Sequence, residues 1–122
     1  MSVLAPISIG ELVDKITILE LKAAKTQDAE KLANVQRELK LLNELYNSLH
    51  IKVDALKQEL YAINSELWVI EDSKRKCETA QQFDFEFIQL ARSVYIKNDI
   101  RAAIKKQINT ITNSSIVEEK IY

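Results

Sequence analysis

The strongest pattern in this chain is a run of apolar residues in one phase. Leu32, Val35, Leu39, Leu42, Tyr46, Leu49, Val53, Leu56, Leu60, Ile63, Leu67 and Ile70 follow one another with alternating steps of three and four. That spacing places them on one face of a helix. It predicts a single long helix over 28–76, roughly 70 Å at 1.5 Å per residue. Asn47-Ser48 is the weakest place in it, and a break there is the rival reading. An earlier stripe, Ile9, Leu12, Ile16, Leu19 and Ala23, predicts a first helix over 8–25, opened by Ser8 and Glu11 at capping-box spacing. Thr26 or Asp28 is expected to cap the next helix.

A third helix is expected over 84–112. Asp84 is its N-cap, and Phe83 and Ile88 stand at the spacing of a hydrophobic staple. Phe87, Ile88, Ala91, Val94 and Tyr95 begin its stripe. Ile100, Ala103, Ile104, Ile108 and Ile111 continue it. Asn98-Asp99 is cap-like and leaves a kink or split near 98 open. Residues 113–122 form a tail that keeps Ile116, Val117, Ile121 and Tyr122. Apolar residues flank the long seam at Leu41, Leu45, Tyr61, Ala62, Trp68 and Val69, where an isolated two-stranded coiled coil would be polar. The expected architecture is therefore all-α and occupies residues 1–122 as one domain. It is a helical hairpin with a long, coiled-coil-like central helix, closed by C-terminal helices into a three- or four-helix antiparallel bundle.

Composition supports helices over sheets. The 122 residues include one Gly and one Pro, too few for the turns a sheet protein needs. Lys and Arg total 17 and Asp and Glu 18, so no basic excess points to nucleic acid, which is not an expected partner. The single Cys77 excludes an internal disulfide, and the single His50 removes the usual zinc and di-iron templates. No cofactor or metal is expected, and Cys77 reads as a small packing residue. The N-terminal residues have no basic start and no long apolar run, so they do not read as a signal peptide. No segment is apolar enough to span a membrane. The expected compartment is the cytoplasm.

The candidate chemistry gathers in two places. Trp68, Glu71, Asp72 and Arg75 share one helix face. Arg92, Tyr95, Asn98, Asp99 and Arg101 crowd the C-terminal helix; Arg92, Tyr95 and Asp99 are spaced to face Glu71 and Asp72 across an interface between the two helices, where bidentate arginine–carboxylate pairing would suit. Trp68, Glu71, Asp72, Arg92, Tyr95, Asn98, Asp99 and Arg101 are the candidate site. Its residues serve either to hold the helices in register or to bind a ligand. No nucleophile stands beside a base, so no catalytic residue is assigned. Lys97, Arg101 and Lys105, spaced by four, read as a solvated cationic face near a helix C-terminus.

Several motifs carry a resemblance. They include Pro6-Ile-Ser-Ile-Gly-Glu-Leu-Val-Asp-Lys-Ile-Thr-Ile-Leu19, Glu66-Leu-Trp-Val-Ile-Glu-Asp72 and Phe83-Asp-Phe-Glu-Phe-Ile-Gln-Leu-Ala-Arg-Ser-Val-Tyr95. Asn98-Asp99, Arg101 to Lys105, Ile108-Asn109 and Glu118 to Tyr122 extend the last of them. Together they resemble a family of small bacterial and bacteriophage proteins of unknown function. The resemblance implies a self-contained domain without catalytic residues, and it places the candidate site inside the family's motifs. The seam between 28 and 60 lies outside them. The expected function is a non-enzymatic helical interaction module that pairs with itself, a dimer being favoured, or with another helical protein. The alternative is a small-ligand or anion-binding domain centred on Trp68, Glu71, Asp72, Arg92 and Arg101.

Overall fold

The computed structural model describes all 122 residues, and it contains four helices and no strand. They are α1 (Ile9–Lys25), α2 (Ala29–Ser48), α3 (Asp54–Ala80) and α4 (Phe85–Ile111). Local signals set the helix starts. The Ser8 Oγ accepts from the Glu11 N–H at 3.0 Å, and Asp28, not Thr26, caps α2 by accepting from Glu30 and Lys31. The capping box is only half formed, because the Glu11 carboxylate turns to Lys105. At α4, Asp84 makes no side-chain cap bond, and Phe83 meets Phe87 edge-on at 5.3 Å while Ile88 stays half exposed.

The single helix expected over 28–76 does not form. The chain leaves helical geometry after Ser48, turns through His50 at a left-handed φ of 52°, and re-enters at Asp54. A rod of that length would need a cover along its whole seam, and α1, with 17 residues, spans only about 25 Å. Breaking the rod folds both halves of the seam onto α1, which packs against α2, α3 and α4. Val53, Leu60 and Ile63 from the second half join Val13, Ile104 and Ile108 in one buried cluster, with Ile9, Tyr46, Ile51 and Leu56 against it. This burial offsets the backbone hydrogen bonds lost at the turn.

The C-terminal segment is one unbroken helix, and the split left open near 98 is absent. Asn98 faces inward beside Arg101 instead of capping a new helix. α2 packs chiefly on α1, with Tyr46 reaching the core cluster, and has no fully buried residue. α3 and α4 pair closely, but Cys77 is the only fully buried side chain between residues 65 and 103. Burial and the nearby Glu86 and Asp84 push the Cys77 thiol up, which keeps it protonated and a poor nucleophile.

Candidate functional site

The polar centre of the molecule is built on Asp14, which no solvent reaches. It sits one turn into α1, among Leu12, Val13 and Ile16. Its Oδ1 accepts from Asn64 Nδ2 and from Arg101 Nε, each at 2.9 Å, and its Oδ2 accepts from the Arg101 Nη2. This is a bidentate guanidinium–carboxylate pair with a third donor from α3. Thr17 takes a second Asn64 N–H at 2.9 Å and donates to the Asp14 carbonyl. The hydrogen bond and charge of Asp14 raise the Arg101 guanidinium above its ordinary value, against the opposing effect of burial.

One turn away, Lys105 meets Glu11 at 2.5 Å and Glu118 at 3.5 Å. Glu118 in turn accepts from the Ser8 hydroxyl at 2.9 Å. The start of α1 is thus tied to α4 and to the tail beyond it. The Gly10 N–H donates to Asn109 Oδ1 at 2.6 Å and the Ile9 N–H to Ser114 Oγ at 3.1 Å. A Cβ on Gly10 would lie 2.5 Å from the Lys105 carbonyl oxygen, so this approach requires glycine. These bonds satisfy the N–H groups that α1 leaves free, and no anion is needed there.

Two cavities border this centre. The first, about 450 Å³, lies between α1, α3 and α4. Ile18, Leu21, Leu67 and Trp68 supply its apolar wall, Asn64 and Arg101 its floor, and Glu71, Asp72, Arg75 and Asn98 its polar rim. The Lys25 ammonium lies 5.8 Å from the centre of the Trp68 ring. The second, about 810 Å³, runs between α4 and the tail, with Tyr95 and Asp99 in its lining. The tail is laid along α4 by Lys106–Glu119 at 3.6 Å and Lys120–Asp99 at 3.4 Å.

The candidate residues read from the sequence are therefore divided. Trp68, Glu71, Asp72, Asn98 and Arg101 meet at the first cavity. Tyr95 and Asp99 belong to the second, where Asn98 and Arg101 also take part. Arg92 lines neither and is exposed. The expected pairing of Arg92 with Glu71 and Asp72 does not occur. Glu71 pairs with Lys74 at 3.5 Å and Asp72 with Lys76 at 3.2 Å, both on α3 itself, because a partner one turn away is nearer than one on another helix. Lys97, Arg101 and Lys105 are not a solvated face either. Each is partly buried and paired, with Glu66, Asp14 and Glu11 respectively.

Sequence reasoning missed Asp14, Thr17, Asn64, Asn109 and Glu118, and gave Glu11 only a capping role in place of its bond to Lys105. A signal existed for two of them: Asp14 interrupts the apolar run Leu12-Val13 and Ile16, and Asn64 sits beside seam residue Ile63. A polar side chain on a buried stripe calls for a partner. No group of three or more His, Cys, Asp or Glu is placed to hold a metal ion. No helix is long and apolar enough to cross a membrane.

Comparison with known proteins gives one positive finding. A family model described as "Family of unknown function (DUF6165)" matches residues 3–122. No curated protein and no solved structure matches the chain.

Proposed function

The chain belongs to the DUF6165 family, and we propose from its surface that it is a non-enzymatic helical module that associates with copies of itself. The carrying observation is its accessible area. The chain exposes 8,635 Å². A monomer of 14.0 kDa exposes about 6,700 Å² by the usual scaling with mass. The excess, about 1,900 Å², is more than twice the ~800 Å² that each partner covers in a standard interface. It comes with large apolar side chains in the open on α2, α3 and α4, including Leu41, Val69 and Phe85. A net charge of −1 adds little repulsion between copies. A cytoplasmic setting suits the single unpaired thiol. Light scattering on the purified chain across a hundredfold range of concentration is the test. A mass of two chains, falling toward one on dilution, is expected, and one chain at every concentration would overturn the reading.

A second reading rests on the 450 Å³ cavity, a volume within the ligand-binding range. Asn64 is 5% exposed, and both its N–H bonds are committed to Asp14 and Thr17. Its Oδ1 accepts no hydrogen bond within the chain, and Asn64 lines the cavity together with Trp68. This arrangement suits a neutral ring that carries an amide N–H. An anion has less to gain, since Asp14 already neutralises the guanidinium in the floor. Trp68, the sole tryptophan, reports on the site directly. Titration with uracil or nicotinamide is expected to change its fluorescence in the wild type and not in Asn64→Leu. No change with either compound at millimolar concentration would sink this reading.

A further inference from the structure

We infer that the surface through which two copies meet is the outer side of α4, each copy presenting the same stripe to the other. The inference rests on the self-association reading and specifies its geometry. α4 has two apolar seams. The inner one, with Leu90, Val94, Ile104 and Ile108, faces α1 and α3. The outer one comprises Phe85, Ile96, Ile100, Ala103 and Ile111. At 100° per residue these five fall within an arc of about 80°. Phe85 is 74% exposed, Ile96 44%, Ile100 43% and Ile111 65%.

The residues between them in that arc are Gln89, Ser93 and Gln107. The whole outer stripe, 85, 89, 93, 96, 100, 103, 107 and 111, therefore advances by threes and fours over 27 residues, or about 40 Å, without one charged side chain. In the chain as a whole 29% of residues are charged, so a charge-free stripe on a solvent-facing side is out of keeping with the rest of the surface. Depletion of charge in the middle, with charge at the edges, is how the core of an interface differs from ordinary surface. Here the edges carry Arg92 and Asp99 on one side and Glu86 and Lys97 on the other. The stripe is centred about 100° round α4 from the inner seam, so it continues the apolar face that α1 and α3 cover, and its large side chains stay exposed in one chain.

A second copy is the occupant that the area favours, since the excess exposed by each chain is more than the ~800 Å² that each partner in a standard dimer covers. An isologous contact also needs no other surface: the same stripe serves as both faces. The exposed leucines of α2 are the competing surface. Leu41 and Leu45 share their face there with Glu38, which makes them a poorer core.

The test uses the full chain and three single variants, Ile100→Glu, Ile111→Glu and Leu45→Glu, followed by light scattering with helix content checked by circular dichroism. Ile100→Glu is expected to weaken pairing by about 30-fold or more, as loss of a central contact does. Ile111→Glu, at the exposed end of the stripe, is expected to weaken it less and to keep its fold, so it stands in if Ile100→Glu loses helix. Leu45→Glu is expected to pair like the wild type. If both α4 variants stay folded and fully paired, or if Leu45→Glu alone dissociates, the α4 surface is overturned while self-association stands. If the wild type is monomeric at every concentration, both readings fall together.

Discussion

Asp14→Ala is expected to lower the stability of the fold by about 3 kcal/mol, the cost of removing one partner from a buried ion pair. The loss is larger than a count of hydrogen bonds suggests, because three groups are stranded together. Arg101 keeps its charge in a half-buried position, Asn64 loses the acceptor for one N–H, and Lys105 loses a carboxylate 4.0 Å away. Asp14→Asn retains the shape and an acceptor oxygen, so its cost is expected to be smaller. Urea denaturation followed by circular dichroism reads both. An Asp14→Ala chain as stable as the wild type would mean that the cluster does not hold α1 to α4. The sign of any pH dependence follows from Arg101. Its folded value is raised, so its contribution is fully present below the ordinary arginine range and is lost only as pH rises beyond it. The pair therefore cannot be titrated open from the arginine side in the neutral range.

Ile108→Ala is expected to cost about 3 kcal/mol as well, for a different reason. Ile108 is fully buried in the cluster that joins α1, α3 and α4, and its truncation removes three carbons and leaves a cavity. Only 17 of the 122 residues are buried, so each core position carries a large share of the total. A domain of this size has about 5–15 kcal/mol in hand, and the midpoint of thermal unfolding is expected to fall by roughly 10 °C or more. A shift of 1–2 °C would show that the core repacks around the gap.

The boundaries of α1 and α4 were legible to within a residue at each end, since the Ser8 cap and the apolar stripes act over one or two turns, although Asp84 makes no cap bond. The break at Leu49–Val53 was visible only as a rival. The phase of the seam continues unbroken through it, and no Gly or Pro marks the turn; His50 takes up the left-handed φ instead. Periodicity reports which side of a segment is dry. It does not report whether the segment before and the segment after lie on one axis.

The site divides in the same way. Arg101 and Trp68 stood out from the sequence because they are a charge and a large aromatic within dense motifs. The partner of Arg101 did not, for Asp14 lies 87 residues away and Asn64 comes from a third helix. Residue order along the chain is enough to set helix identity, the caps and the apolar faces, because those depend on neighbours three and four places apart. Which faces meet, where the rod must fold to cover its seam, and which carboxylate receives the guanidinium were settled when the other three helices packed around α1. Those outcomes depend on distances between residues that have no fixed spacing in sequence, and on the need to leave no buried charge unpaired.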